Sequence, residues 1–356
     1  MRVDVLITSF NYGRYLAAAI DSALQQEGVD VRVIVVDDGS VDDSREVLAS
    51  YGDRVVAILQ ENGGQASAFN AGVAAASGDA VAFLDSDDLL LPGALQRAAA
   101  ALTAHPDAVK VQWTMELADA NGNPAGALIP PPHVPMPDGD VRAAELEHGF
   151  DLFWAATSGN LLPLGVLARL FPIPEAAYPA CDAYLHHLPP LLGPVVSLRT
   201  VGSLRRVHGQ NSFEQAADDR VDLGHVRQSI LMTAVTIPQI IRLADELGLP
   251  HRPAQDMLSV STVANRMISY RLEPDRHPVP TDSRRRLLAA GIRAAVRRRD
   301  VHPLMRLAFT AWFLAMAVAP RGACRALSQR FLFPEQRQAL NRLLAPLHRA
   351  DRRRTA

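Results

Sequence analysis

Three aspartates follow an apolar run in the segment AVAFLDSDDLLLPG, which covers residues 80–93. Asp85, Asp87 and Asp88 come directly after residues that are typical of a buried strand, and Pro92 suits the first turn of a following helix. Carboxylates this close together repel one another and raise each other's pKa unless a cation or hydrogen-bond donors offset the charge. Two interpretations of this segment stay open: the carboxylates bind a divalent metal ion, or one of them caps the helix near Pro92.

Polar clusters also end the other strands that the first hundred residues predict. Strand-like and helical runs alternate there, which indicates a Rossmann-like α/β fold with a mostly parallel sheet flanked by helices. The clusters are TSFN at residues 8–11, DDGS at 37–40, ENGG at 61–64 and DSDD at 85–88. In such sheets, ligands bind beyond the carboxyl ends of the strands. We therefore expect the four clusters to form one site.

The composition is that of an ordinary globular protein. Of the 356 residues, 48% are hydrophobic and 21% are charged, and the formal net charge is −2. The near-neutral charge offers no whole-molecule argument for nucleic acid binding. Cys181 and Cys324 can form neither a disulfide framework nor a cysteine zinc site, which favours a cytoplasmic location. The apolar run at residues 307–319 is shorter than the roughly 20 residues that span a bilayer, so a buried helix is expected there, with an interfacial helix as the alternative.

The character of the sequence changes near residue 216. Before it, mixed helix and strand patterns continue, including two strand-like runs, PVVSLRTV and SLRRVHG, while proline-rich PPPHVPMPDG within residues 119–140 predicts a long loop. From about residue 220 onward the pattern is helical throughout. We therefore predict an α/β domain at residues 1–215 and an all-helical domain at residues 216–356.

Taken together, TSFN, VVDDGS, ENGG and LDSDD resemble, in their order and spacing, the nucleotide-sugar glycosyltransferases of family 2, which have the GT-A fold. The segments TSGNLLPLGVLARL, CDAYLHHL and RVHGQNS, which start at residues 157, 181 and 206, are similar to the second half of that family. The resemblance implies an inverting transfer of a sugar from a nucleoside diphosphate, expected to be UDP, to an acceptor hydroxyl. The acceptor would be a glycan, a lipid-linked molecule or a small molecule, in cell-surface polysaccharide or glycoconjugate biosynthesis.

The resemblance also implies that the strand ends form the donor site. The implied residues are Thr8, Phe10, Asn11, Asp38, Gly63, Gly64, Asp85 and Arg206. Phe10 would offer the base an apolar face, Asp38 would accept a hydrogen bond from it, and Asp85 would face the ribose. The glycines would let the backbone approach the nucleotide, and Arg206 would reach the diphosphate. Plainer interpretations stay open: an ordinary strand end, a helix cap formed by Asp38 with Ser40, and a simple tight turn.

For the chemical step, the resemblance implies a metal ion and a general base. Asp87 would bind Mg²⁺ or Mn²⁺, with His208 as a second ligand and Asp88 in a supporting role, and the ion would offset charge on the leaving diphosphate. The family usually opens a helix with a Glu-Asp pair, and the matching pair here is Cys181-Asp182. Asp182 is therefore the predicted base. The alternatives are that Asp182 caps its helix and that His208 is structural.

The helical remainder contains RRRLLAAGIRAAVRRR at residues 284–299, which is basic at both ends around an apolar middle. Either this segment makes a peripheral contact with anionic lipid, or it is a solvated helix face. Helix packing within a homodimer is a further use of the region. No aromatic interleaving or recognition motif supports nucleic acid binding.

Two functions of other classes compete with glycosyl transfer. One is a catalytically silent binder of nucleotide sugars or glycans, against which the presence of both Asp87 and Asp182 argues. The other is a nucleotidyltransferase, which shares an α/β core and acidic metal ligands. It would require a glycine-rich basic phosphate loop near the N-terminus, and the sequence shows none.

Overall fold

The computed structural model describes residues 1–174, 181–209 and 221–332. Within these residues the chain divides into two compact units. The sheet unit holds the described residues up to 209 together with residues 234–252, and the helical unit holds residues 221–233 and 253–332. The predicted domain boundary at residues 215 and 216 lies outside the described residues, as does the end of the RVHGQNS motif.

The sheet unit is built on a mixed sheet, which has nine strands in the described part of the chain. The strands are β1 (Arg2–Ser9), β2 (Asp30–Asp38), β3 (Val56–Gln60), β4 (Ala80–Asp85), β5 (Leu89–Leu90), β6 (Lys110–Ala118), β7 (Pro124–Ile129), β8 (Asn160–Pro163) and β9 (Val195–Arg206). Their order is β3-β2-β1-β4-β8-β6-β9-β5, and β7 pairs with β6. Strands β1 to β4 run parallel, as the alternating pattern predicts, while β8 is antiparallel to both of its neighbours.

Helices flank this sheet and continue into the helical unit. They are α1 (Gly13–Leu24), α2 (Ser44–Tyr51), α3 (Gln65–Ala75), α4 (Ala94–Ala104), α5 (Arg142–His148), α6 (Leu164–Leu170), α7 (Asp182–His187), α8 (Pro189–Leu192), α9 (Leu223–Glu246), α10 (Val260–Leu272), α11 (Arg284–Arg297), α12 (Pro303–Val318) and α13 (Arg321–Leu332). The division between the two units falls inside α9, between Thr233 and Ala234.

Each unit has its own apolar core. In the sheet unit, one face of β1, β2 and β4 packs against α1 and α4, with Ile7, Leu16 and Leu95 among the side chains that solvent does not reach. In the helical unit, Met267 of α10 and Phe313 of α12 are equally buried, within a cluster to which α11 and α13 also contribute. Apolar burial of this extent is the main stabilising contribution in both units.

Two local predictions for the sheet unit differ from the structure. Part of the expected loop at residues 119–140 is strand β7, which forms a hairpin with β6. Four of its six residues are exposed, so no buried face imposes the alternation by which a strand is recognised in a sequence. The two strand-like runs near residues 194–209 form the single strand β9, whose pairing with β6 shifts register near Trp113. Gly202 allows the Trp113 ring to lie against the backbone there, since a Cβ at Gly202 would come within 2.4 Å of the ring.

Helix α12 is less buried than its apolar sequence predicts. Phe313, Met316 and Ala317 face the core of the helical unit, whereas Leu307 is 64% exposed and Val318 is 82% exposed. Among the described residues, no helix combines the length and the apolar character that crossing a bilayer requires.

Candidate active site

The polar clusters predicted at the strand ends do come together at one edge of the sheet. In the parallel register, Thr8 of β1 lies beside Asp85 of β4, and Ser9 lies beside Asp37 of β2. Phe10 follows directly and is 45% exposed, so its ring is available to a ligand at this edge. The location is the one that ligands occupy in parallel sheets.

Asn11 connects the first two clusters. Its backbone N–H donates to Ser40 Oγ at 2.9 Å, and its side-chain Oδ1 accepts from the Val41 N–H at 2.8 Å. Asn11 has a positive φ of 60°, a conformation that asparagine tolerates better than most residues. The side chain therefore fixes the β1–α1 turn against the DDGS turn.

Asp38 organises the ENGG turn. Its carboxylate accepts hydrogen bonds from the backbone N–H groups of Gly63, at 2.9 Å, and Gly64, at 2.8 Å, and from Gln60 Nε2 at 2.6 Å. Gly39 packs so closely on this turn that a Cβ would lie 2.7 Å from the Asn62 nitrogen. Helix α2 begins only at Ser44, after Asp43, so Asp38 is not its cap. The contact of Asp38 with a base stays a prediction.

Asp85, Asp87 and Asp88 converge, with one carboxylate oxygen from each lying within 4.8 Å of the others. Buried Asp88 is held by the protein, because Ser158 Oγ donates to its Oδ2 at 2.6 Å and the Arg206 N–H donates to its Oδ1 at 3.0 Å. Ser158 Oγ also accepts from the Asp85 N–H at 3.0 Å. No aspartate caps the next helix, since the residue before α4 is Gly93.

The charge of this cluster is poorly compensated. Burial raises the pKa of Asp85 well above its ordinary value, and repulsion from Asp88, Asp182 and Asp87 adds to the effect. Burial, with repulsion from Asp87, also raises the pKa of Asp88 to about 7. Arg205 opposes both shifts. Three converging oxygen ligands with excess negative charge fit a divalent cation, which would restore the balance.

His208 and Arg206 are positioned by an aromatic side chain from α1. His208 Nε2 lies 3.0 Å from Asp87 Oδ2, so the two predicted metal ligands are neighbours. The His208 ring stacks on Tyr15 with centroids 4.6 Å apart, and the Arg206 guanidinium carbon lies 4.8 Å from the centre of the same ring. The sequence reasoning did not identify Tyr15, which looks like one of the apolar positions of an ordinary helix.

Asp182 is the first residue of α7, and its carboxylate accepts a hydrogen bond from Thr157 Oγ1. Its side chain does not cap the helix, because Cys181 occupies the cap position and makes no side-chain cap bond. Burial raises the pKa of Asp182, while Thr157, Arg205 and Lys110 lower it. Thr157 is adjacent to Ser158, which bonds to Asp88 and to the Asp85 N–H, so these hydrogen bonds connect the predicted base to the acidic cluster.

The sequence did not predict three residues that contribute to the site, which are Ser158 of the Thr157–Gly159 turn, Arg205 of β9 and Lys110 of β6. Ser158 bonds to Asp88, and Arg205 lowers the pKa of Asp85, Asp88 and Asp182. Lys110 is fully buried and bonds to the Leu185 carbonyl of α7, the helix that Asp182 begins. For Lys110 a signal existed in the composition: it is the only lysine in the chain, beside 35 arginines.

A mixed sheet flanked by helices, with convergent carboxylates at one edge, is consistent with the GT-A fold of glycosyltransferases. The model of the family described as Glycosyl transferase family 2 matches residues 4–142. An uncharacterized glycosyltransferase of Nostoc sp. is 34% identical over 222 residues, which are 61% of this chain and 68% of that protein. The chain belongs to glycosyl transferase family 2.

Further relatives share shorter segments or the fold alone. The chondroitin synthase of Pasteurella multocida is 38% identical over 130 residues, which are 36% of this chain and only 13% of the synthase. The crystal structure of S. aureus TarS 1-349 superposes with a TM-score of 0.53 at 14% identity, covering 93% of this chain and 91% of that one. Its complexes with UDP and with UDP-GlcNAc each give 0.51.

Proposed function

We propose that this glycosyltransferase transfers a sugar, with inversion, from a UDP-sugar to a hydroxyl group of a glycan, a lipid-linked molecule or a small molecule. The observation that carries the proposal is a set of hydrogen bonds: Thr157 bonds to Asp182, and the adjacent Ser158 bonds to Asp88 and to the N–H of Asp85, two of the three convergent aspartates. Such an arrangement provides a place for a diphosphate and its ion next to a base for the acceptor. The TarS complexes with UDP and UDP-GlcNAc support this donor class, and the name of the chondroitin synthase supports a polysaccharide or glycoconjugate product.

The donor would bind along the strand ends. Thr8 and the exposed ring of Phe10 would line the base, next to the turn that Asn11 holds. Asp38 keeps a role in base recognition, because a carboxylate has about four acceptor sites and protein donors fill three of them. The remaining site can accept from an N–H of the base. The backbone at Gly63, whose position Asp38 fixes, would approach the nucleotide.

The diphosphate would lie between the acidic loop and the end of β9. Asp87 and His208 would hold Mg²⁺ or Mn²⁺, while Asp85 would face the ribose and the neighbouring phosphate. When bound, the ion supplies Lewis-acid stabilisation of the negative charge on the departing diphosphate. Arg205 and Arg206 add positive charge on opposite faces of the strand, with Arg206 fixed over Tyr15.

Asp182 would accept the proton of the attacking hydroxyl. The bond from Thr157 orients one carboxylate oxygen and leaves the other for the acceptor. As the acceptor oxygen bonds to the anomeric carbon, the bond from that carbon to the diphosphate breaks and the hydroxyl proton moves to Asp182. Attack opposite to the leaving group inverts the anomeric configuration, as expected for a single displacement.

A panel of nucleotide sugars, read by thermal unfolding with Mn²⁺ or Mg²⁺, tests the donor class, because a ligand of the folded state raises its melting temperature. We expect UDP-sugars to give the largest shift. Donor consumption with and without sugar acceptors then separates the candidates. A silent binder shows shifts without consumption, whereas a nucleotidyltransferase releases pyrophosphate and not UDP. Either result would overturn the proposal.

For the helical unit we propose a peripheral contact with an anionic membrane, at the inner face where a lipid-linked acceptor is available. Its described residues include fifteen arginines and six aspartates or glutamates. On α12, Leu304, Leu307, Ala311, Leu314 and Val318 are exposed at spacings of three and four, which places them on one face. A basic surface with an exposed apolar stripe suits binding in the headgroup region.

A further inference from the structure

Lys110 is the only lysine among the 356 residues, and solvent does not reach it. Lysine and arginine together number 36, and the other 35 are arginines. Lysine differs in being compact and in being able to lose its proton when buried, which arginine does not do in proteins.

The side chain of Lys110 extends from β6 into a polar cluster within the sheet unit. Its Nζ donates a hydrogen bond to the Leu185 carbonyl at 3.2 Å and lies 4.9 Å from the centre of the Trp154 ring. Leu185 belongs to α7, the six-residue helix that starts with Asp182. Lys110 thus contacts the helix that carries the proposed base.

Several titratable groups face this position. Helix α5 presents buried Glu145, whose Oε1 lies 2.7 Å from Nδ1 of His187, and α7 presents His186 and Asp182. Burial lowers the pKa of Lys110 to about 7, against the opposing effects of Glu145 and Asp182. Burial lowers the pKa of His186 well below its ordinary value, so that this ring is neutral near pH 7.

Asp182 is also close to charged and polar groups from other elements of the sheet unit. They are Asp85 at the end of β4, Arg205 of β9, Thr157 and Lys110. Lys110 and Arg205 are the two cations that favour the ionised form of Asp182. Arg205 lies on β9, the strand next to the diphosphate side of the site, whereas Lys110 lies on β6 and bonds to α7 through the Leu185 carbonyl.

We propose that Lys110 is a positioning residue for Asp182, anchoring α7 through the Leu185 carbonyl and keeping the carboxylate ionised so that it can accept the acceptor's proton. This inference rests on the proposed function. A purely structural role would not require a cation here, because an apolar side chain of similar length fills buried space without the cost of removing a charge from water.

A single lysine allows a direct test that needs no substrate. Protein labelled with ¹³C and ¹⁵N only in lysine gives a single Nζ signal and a single Cε signal, whose shifts follow the protonation of Lys110 between pH 5 and 10. In the Asp182→Asn variant we expect the midpoint to fall, because the neighbouring negative charge that stabilises the ammonium group is gone. Glu145→Gln should lower it too and serves as the positive control. Asp140→Asn, at an exposed pair with Arg142, should leave it unchanged.

An unchanged midpoint in Asp182→Asn, with the expected fall in Glu145→Gln, would overturn the proposal. The second arm uses Lys110→Met in the full chain. We expect unchanged donor affinity, turnover lowered about tenfold or more, and an acidic limb of the turnover profile displaced to higher pH, because Asp182 ionises less readily. A loss of turnover with an unmoved limb would indicate a packing defect and would also overturn it.

The two arms separate this inference from the proposed function. Charge coupling in the NMR experiment without transfer from any donor would contradict the function and the catalytic purpose of the pair. Transfer that depends on Asp182 but is insensitive to Lys110 would leave the function standing and reject the positioning role.

Discussion

The four aspartates at the site have the same chemistry but different partners, and the partners decide what each can do. Both oxygens of Asp88 are bonded to protein donors, so this residue holds the loop. Asp87 Oδ2 lies 3.0 Å from His208 Nε2, and a carboxylate oxygen of Asp87 converges with those of Asp85 and Asp88. Asp182 is oriented by Thr157 through one oxygen only. Roles for residues of one type can therefore be assigned from their hydrogen bonds.

At the level of single residues, Asp87→Asn should leave the fold intact and abolish metal-dependent nucleotide binding, because the amide removes the charge that holds the ion. Isothermal titration with UDP and Mn²⁺ is the measurement. Asp53→Asn, at an exposed turn outside the site, is the matched control and should bind as the parent does. Binding by Asp87→Asn as tight as that of the parent would show that Asp87 is not a ligand.

Asp182→Asn should keep its affinity for the donor and lose transfer by on the order of a hundredfold or more, as expected when a general base is removed. Binding and turnover are measured in parallel on the same preparation. Weak donor binding combined with normal turnover would mean that the base lies elsewhere.

Lys110 should also make stability depend on pH. Its pKa in the folded protein is about 7, below the ordinary 10.5, so the unfolded chain binds a proton that the folded chain lacks between these values. The free energy of unfolding of the parent, relative to that of Lys110→Met, should therefore rise by several kcal/mol from pH 7 to pH 10. Below pH 7 the full cost of burying the charged ammonium group should lower the stability of the parent. Urea unfolding of both proteins at pH 6, 8 and 10 measures the difference. A difference that does not vary with pH would contradict the shift.

The site residues that were predicted from the sequence are those in compact motifs, such as Asp87 and Asp38. The missed ones act across long sequence separations. Ser158 bonds to Asp88 from 70 residues away, and Tyr15 of α1 stacks on His208, which follows β9. No local period marks such pairs, because only the folded sheet brings them together.

At the level of elements, strand β9 and the acidic loop form one assembly. The N–H of Arg206 bonds to Asp88, while the side chains of Arg206 and His208 both rest on Tyr15 of α1. Helix α1 therefore fixes the end of β9 on the same side of the site as the carboxylates.

Tyr15→Leu should weaken binding of UDP with Mn²⁺ by on the order of tenfold, since one stacking contact and one cation–π contact of roughly 1 kcal/mol each are lost. Tyr51→Leu is the matched control, as Tyr51 lies on α2 and bonds to Asp21 and the Ala17 carbonyl. The control should lower the melting temperature without changing affinity. Equal affinities of parent and Tyr15→Leu would remove Tyr15 from the site.

The elements themselves were predictable where burial imposes a pattern. Strands β1, β2 and β4 are buried and were recognised, whereas exposed β7 carries no such pattern and was expected to be loop. Helix α12 was recognised as a helix, but its exposed face was not, because nearly all of its residues are apolar. Burial on one side cannot be deduced when the sequence does not distinguish the sides.

At the level of the whole molecule, charge is distributed unevenly. The chain has a formal net charge of −2, although the described helical unit has fifteen arginines against six acidic residues. Arg297 and Arg298 are paired with Asp256 and Asp300, so they are less suited to contact lipid than exposed Arg284 and its two neighbours.

Changing Arg284, Arg285 and Arg286 together to Gln should weaken co-sedimentation with vesicles that contain anionic phospholipid, and added salt should do the same to the parent. Leu307→Gln with Leu314→Gln should also weaken it, by removing apolar contacts. Val41→Gln, which alters a side chain that is 91% exposed in the sheet unit, is the control. If all variants sediment equally, or if none sediments, the arginines form a solvated helix face. The exposed side of α12 would then serve helix packing or dimer contacts.

Because helix α9 belongs partly to each unit, it limits how the gene for this protein can be divided by recombination. Its first part belongs to the helical unit and its second part to the sheet unit, where Ile240 and Ala244 are fully buried. The gene segment for residues 234–252 therefore encodes part of the sheet unit although it lies within the coding region of the helical one. Recombination that joined this glycosyltransferase to a new C-terminal module after residue 209 would delete a buried piece of the catalytic half. We therefore expect the sheet unit and the helical unit to be inherited together. Natural fusion proteins should carry additional domains before or after both units, and not between them.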